Sequence, residues 1–212
     1  MTAAGQLEAG QLEAGQLDAG QPGAIQSGAI LAHLREATRP AHQALDVALG
    51  LMDDGIGIAA YTRLLERFYG FWCGWQPQMA GLMRDEALLG PRRRLHLLAA
   101  DLAALGLSPD AVRALPWCPL PALRDASEAL GSLYVMEGST LGGRVILRHV
   151  GNRLGLDGNA GCAYFAGYGT ATSPMWRSFL LRLDAADMLD AGRIAAGASA
   201  TFRCLGEWLT RH

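Results

Sequence analysis

Three glycines fall inside one long helical stretch, in the run Glu137-Gly138-Ser139-Thr140-Leu141-Gly142-Gly143. Each glycine in a helix interior costs about 1 kcal/mol relative to alanine, so some close contact has to recover the loss. Gly138 and Gly142 are four residues apart and share a helical face, and Gly131 projects onto the same face seven residues earlier. The helix thus offers a strip of nearly bare backbone, able to lie against something large and flat. Another helix and a planar ligand both meet that description, and the glycines alone do not choose between them.

The rest of the chain supplies a helical frame for this strip. Tyr61, Leu65, Phe68, Trp72, Trp75 and Met79 line one face of a helix expected over about 57–82. Leu34, Ala37, Ala41, Leu45 and Ala48 form the stripe of an earlier helix, in which Pro40 predicts a kink or a fresh start capped by Thr38. Pro91 is expected to open a third helix through Leu105, and Ser108-Pro109-Asp110 a short one. Pro121 is expected to open the glycine-bearing helix, which runs to about Leu154 before a glycine-rich loop over 156–172. Two more helices are expected over 173–187 and 190–210, the last with Ile194, Ala198, Thr201, Leu205 and Trp208 on its stripe. No segment alternates at period two for long. The fold class is all-α, a single-domain multi-helix bundle.

Before that domain, residues 4–20 repeat a five-residue Ala-Gly-Gln-Leu-Glu unit that suits neither helix nor strand. Residues 1–27 read as a low-complexity, disordered tail and 28–212 as the folded domain. A net charge of −2 argues against nucleic acid as a partner. All 18 basic residues are arginine, so any anion site must use guanidinium groups, which grip carboxylates at two points. Cys73, Cys118, Cys162 and Cys204 are widely spaced and read as reduced thiols of a cytoplasmic protein. The N-terminus lacks the pattern of a secretory signal and no apolar run is long enough for a membrane span, so no membrane partner is expected. The Arg92-Arg93-Arg94 run beside His96 reads as a solvated surface.

Arg35, Arg39 and His42 stand at i, i+4 and i+7, along one shoulder of the first helix. One imidazole for iron with cationic groups for two propionates is the layout of a haem site. An amphipathic helix with a boundary histidine and solvated arginines is the competing reading. A porphyrin is flat and apolar, and a helix can cross it closely only where side chains are missing. Among the other histidines, His149 shares the glycine face but lies about 16 Å beyond Gly138 along the helix, leaving His42 as the axial candidate. Tyr134, one turn before Gly138, can reach a propionate or simply pack. Arg177 beside Trp176 is a candidate third carboxylate anchor, and Phe202 a candidate contact to the ring edge.

At this point the chain resembles a haem oxygenase. Leu34-Arg35-Glu36-Ala37-Thr38-Arg39-Pro40-Ala41-His42 is similar to the family's proximal helix, and Gly138 to Gly143 to its distal helix. Trp176-Arg177-Ser178 resembles the segment with a further propionate anchor, and Thr201-Phe202 the last helix's haem contact. Matches run in order over residues 30–205, and the Glu-Gly-Ser-Thr-Leu-Gly form is similar to bacterial members, including those that supply bacteriophytochromes with chromophore. The resemblance implies cleavage of haem to biliverdin, with release of carbon monoxide and ferrous iron, using dioxygen. Haem would be substrate and oxygen-activating cofactor at once. The site residues it implies are His42 on iron, Gly138, Ser139, Thr140 and Gly142 on the distal side, and Arg35, Arg39, Tyr134, Gly143, Arg177 and Phe202 around the ring. With no flavin or nicotinamide fingerprint, electrons are expected from an external ferredoxin or reductase. A bacteriophytochrome is the acceptor the resemblance raises for biliverdin. Ser139 stands where animal-type members carry an aspartate, which leaves open a haem carrier or sensor that binds without turnover.

Overall fold

The computed structural model describes residues 24–53, 55–185 and 189–211. The pentapeptide repeat lies outside them. In chain order the helices are α1 (Ala24–Leu49), α2 (Ile58–Met83), α3 (Glu86–Leu89), α4 (Leu95–Ala104), α5 (Pro109–Arg113), α6 (Ala126–Leu154), α7 (Ala163–Ala166), α8 (Thr172–Asp184) and α9 (Ala191–Leu209). Among the described residues there is no strand, only isolated bridges from Asp157 to Ala160 and Gly161. No described helix is long and apolar enough to cross a membrane.

The aromatic face of α2 is buried along its length, from Tyr61 to Met79, and forms the centre of the core. Trp72 donates to the Tyr164 hydroxyl (3.0 Å), and Trp75 to Ser132 of α6 (2.8 Å), so the indoles bury their area with their N–H groups satisfied. The expected stripe of α9 is likewise buried from Ile194 to Trp208. Asp101 of α4 accepts from the backbone N–H groups of Ala163 and Tyr164 (2.7 and 2.8 Å), capping the short α7 from outside its own segment. Burial of this carboxyl raises its pKa above the usual carboxylate range, against the opposing pull of those two donors.

Four sequence expectations about helix ends and exposure need correction. α6 begins at Ala126, not Pro121, because Asp125 supplies the cap by accepting from the Glu128 N–H. Pro121 lies in the irregular segment before α6, where its carbonyl accepts from Gln78 (2.8 Å). Pro91 opens only a 3-10 turn, Gly90–Arg92, and α4 starts afresh at Leu95. That break turns Arg92 and Arg94 inward, so the supposed surface run has two of its three guanidiniums buried, at 5% and 4% exposure. Finally, of the two readings of Pro40 the fresh start is overturned: α1 runs on through it, and Thr38 is buried inside the helix, donating to the Leu34 carbonyl (2.7 Å) instead of capping a new start.

Candidate active site

The structure sorts the glycines of α6 into two kinds. A Cβ on Gly131 would lie 1.8 Å from the Ile194 carbonyl oxygen, and one on Gly197 2.0 Å from that of Glu128. α6 and α9 therefore touch backbone to backbone, with the Ser132 and Thr201 hydroxyls 2.7 Å apart beside the contact. Gly143 is also taken up by packing, since a Cβ there would meet the Phe165 carbonyl oxygen at 2.4 Å. Gly138 and Gly142 differ. A Cβ on Gly142 would meet nothing within 4 Å, and one on Gly138 only the Trp176 ring at 3.8 Å. The shared face expected of Gly131, Gly138 and Gly142 is thus split: its first residue serves helix packing, and the later two leave space. Gly143, expected at the ring, is turned to the protein interior.

α1 packs on α9 and α8 but not broadly on α6. The two helices come together where Tyr134 faces Thr38, near the charge of Arg35. Burial pushes the Tyr134 pKa upward, which keeps its proton on the oxygen. One turn further along each chain stand His42 on α1 and Gly138 on α6. Trp176 of α8 closes one side of this region, its ring 6.0 Å from that of Tyr134. Phe202 of α9 closes another, edge-on to the His42 imidazole with centroids 5.6 Å apart.

His42 is half-exposed, and its Nδ1 lies 3.0 Å from the Asp46 carboxylate one turn on. With Nδ1–H donated there, the lone pair of a neutral imidazole sits on Nε2. The Asp46 hydrogen bond and charge hold the His42 pKa above the ordinary imidazole range, with burial opposing them. Arg39 is exposed and paired with Glu36 (2.8 Å), a contact weak enough to exchange for a ligand carboxylate. Arg35 and Arg177 are exposed on α1 and α8. His149 is engaged elsewhere, 3.3 Å from the Asp53 carbonyl oxygen.

The two hydroxyls of the glycine-bearing run face different ways. Ser139 is exposed and donates to the Met136 carbonyl (2.8 Å). Thr140 is buried, donates to the Glu137 carbonyl (2.7 Å) and packs toward Gly167. The structure thus does not bring Thr140 together with the open glycines. Behind them lies a buried polar cluster. Arg92 Nε is 3.3 Å from Glu137 Oε1, the Tyr168 hydroxyl donates to Glu137 Oε2 (2.9 Å), and Arg94 donates to the Met136 carbonyl (2.9 Å). Arg94 is stacked among the rings of Trp72, Tyr164 and Tyr168, about 5 to 6 Å from their centroids.

The family model described as Heme oxygenase matches residues 29–211, nearly the whole described chain. The chain belongs to the haem oxygenase family. It is 33% identical over 148 residues to the Heme oxygenase of Xanthomonas campestris pv. campestris, covering 67% of this chain and 84% of that protein. It is 31% identical over 183 residues to Heme oxygenase PigA of Pseudomonas aeruginosa, covering 82% of this chain and 88% of the relative. Its fold is similar to that of the nitric oxide- and carbon monoxide-bound haem oxygenase of Neisseria meningitidis, with a TM-score of 0.70 and 20% identity over 86% of this chain and 90% of the other. The haem oxygenase of Leptospira interrogans gives a TM-score of 0.66 at 16% identity, over 85% and 98% of the two chains. This haem oxygenase is accordingly a bacterial-type enzyme that degrades haem to biliverdin, with haem as both substrate and oxygen-activating cofactor.

Two features of the candidate site escaped the sequence. Asp46 had a visible signal, a carboxylate four residues after a histidine on one helix. The Arg92–Glu137–Tyr168 cluster had none, because it joins residues 31 to 45 positions apart whose spacing follows no helical period.

Proposed function

We propose that this haem oxygenase seats haem between α1 and α6, with iron on His42 Nε2 and the open backbone at Gly138 and Gly142 over the opposite ring face. The observation that carries this reading is the open space along Gly138 and Gly142, in a helix where Gly131 and Gly143 are pressed against carbonyl oxygens. Gly138 and Gly142 stand four apart on one face of α6, and a ligand lying along that face would recover their helical cost.

Bound haem supplies the iron that activates dioxygen and the ring that is oxidised. The chain's own residues hold and orient it. Asp46 fixes the His42 tautomer so that Nε2 is the ligating atom, and Phe202 sets the plane of the imidazole. Arg35, Arg39 and Arg177 are the carboxylate anchors, with the protonated Tyr134 hydroxyl as a further donor. Ser139 holds the proton nearest the distal face. Its hydroxyl donates a hydrogen bond to Met136 O at rest and turns outward to hydrogen-bond a water in the cleft, so that the water carries the proton and the serine keeps its own. Arg94 keeps the Met136 carbonyl paired when Ser139 leaves, so the rotation strands no buried acceptor. Thr140 and Gly143 act behind the site, through packing of the helix.

Electrons come from a separate ferredoxin or reductase in the cytoplasm. A bacteriophytochrome is the proposed acceptor of biliverdin, on the form of the Glu137-to-Gly142 run. The test is hemin titration followed by an electron source in air. Stoichiometric uptake, then loss of the Soret band with growth of biliverdin absorption and release of carbon monoxide, is expected. A Soret band that persists under reductant and air makes this chain a haem carrier.

A further inference from the structure

Cys118 and Cys204 are 86 residues apart in sequence, yet their sulfurs lie 3.4 Å from each other. Cys118 sits in the irregular segment between α5 and α6, with its N–H on the Gly70 carbonyl (3.0 Å), and its side chain is buried. Cys204 is on α9, two residues after Phe202, and is partly exposed. From this juxtaposition we propose that Cys118 and Cys204 form a peroxide-oxidisable dithiol, a modification site in which Cys204 is attacked first and Cys118 resolves it to a disulfide.

The chemistry balances with a hydroperoxide as oxidant. The Cys204 thiolate attacks the O–O bond, taking one oxygen as a sulfenic acid while the other leaves as water or an alcohol. The Cys118 sulfur then displaces that oxygen as a second water, forming the S–S bond, and each thiol loses one proton overall. A disulfide needs the sulfurs about 1.4 Å closer than they stand, a shift that side-chain rotation in a loop and at a helix surface can supply. The order of events follows from access and charge. Cys204 is the partner reached by solvent. Its pKa is lowered by the hydrogen bond from Cys118 and by the charges of Arg211 and Arg203, against burial and Glu207. Cys118 is raised, by that same hydrogen bond and by burial, and so stays a thiol until called on. The other two cysteines lack such a partner: Cys162 accepts from the Tyr61 hydroxyl (3.2 Å), and Cys73 is paired with Tyr69. The bridge would fasten the 116–120 segment to α9, the helix whose Phe202 sets the His42 ring.

The test treats full-length reduced protein with hydrogen peroxide under denaturant-free conditions, then maps thiols by mass spectrometry. A loss of two hydrogen atoms, with a single Cys118–Cys204 crosslinked peptide that dithiothreitol reverses, is expected. In Cys118→Ser the reaction stops at Cys204 sulfenic acid, trapped by dimedone, whereas wild type gives no such adduct. Cys204→Ser leaves Cys118 as free thiol at the same peroxide dose. Oxidation of Cys73 ahead of Cys204, or over-oxidised Cys204 with Cys118 still free in wild type, overturns the proposal.

Discussion

Alanine at Gly142 and alanine at Gly131 should change stability in opposite directions, although both residues lie in the interior of α6. Neither glycine has a positive φ, so the backbone accepts alanine at either place. At Gly142 the added Cβ meets no atom within 4 Å. The substitution then gains the helix-propensity difference of about 1 kcal/mol, a rise in Tm of roughly 2–4 °C for a chain this long. At Gly131 the Cβ would sit 1.8 Å from the Ile194 carbonyl oxygen and 2.8 Å from the Ala198 nitrogen, both backbone atoms that no rotamer change can move. α6 and α9 would have to separate, breaking the match with Gly197 and the Ser132–Thr201 contact, at a cost of about 3 kcal/mol or more. Function should run the other way. Gly142→Ala should fold better yet bind haem more weakly and turn it over more slowly, because its methyl fills the space left for the ring. Thermal melts of both apo variants, with hemin titrations alongside, give the comparison. A destabilised Gly142→Ala, or one with wild-type haem affinity and turnover, would refute the division of labour among these glycines.

Three further outcomes follow from the same geometry. His42 must be neutral to ligate, and its apo pKa is raised, so haem affinity should climb with pH through that raised value and level off above it. In the apo protein the sign is reversed: the His42–Asp46 interaction stabilises below the ordinary imidazole pKa and fades as pH rises through the raised one. Asp46→Asn should move the affinity midpoint to lower pH, and an unmoved midpoint would show that Asp46 does not tune the ligand. Arg92→Leu leaves Glu137 buried without its cation and should cost about 3–5 kcal/mol, while the double change with Glu137→Leu recovers part of that loss; denaturant melts of the pair decide. Ser139→Ala should keep the fold and haem uptake but slow biliverdin formation under reductant, and an unchanged rate would remove Ser139 from the proton path.

The helical frame was legible because burial imposes a period. The stripes of α2 and α9 pack into the core as spaced, and α5 opens at Ser108-Pro109-Asp110 as expected, with the Ser108 hydroxyl as its cap. The row of Arg35, Arg39 and His42 was legible for the same reason, since three residues on one helix keep their relative placement in any fold. What sequence could not show was which neighbour each glycine would meet. Gly131 and Gly142 have identical local signals, and only the approach of α9 separates them. Arg92 and Arg94 were misjudged because a charge run is solvated by default, and their burial depends on a distant carboxylate, distant carbonyls and three aromatic rings. Of the helix starts read from Pro40, Pro91 and Pro121, none formed as an α-helix opening, the last because Asp125 supplies the α6 cap instead.

A structure of the haem-loaded protein shows directly whether the ring is seated between α1 and α6. Iron within bonding distance of His42 Nε2, and the ring in van der Waals contact with the backbone at Gly138 and Gly142, is the result expected. Iron held by His33, His96 or His149, or a ring lying away from that open stretch of α6, would contradict it.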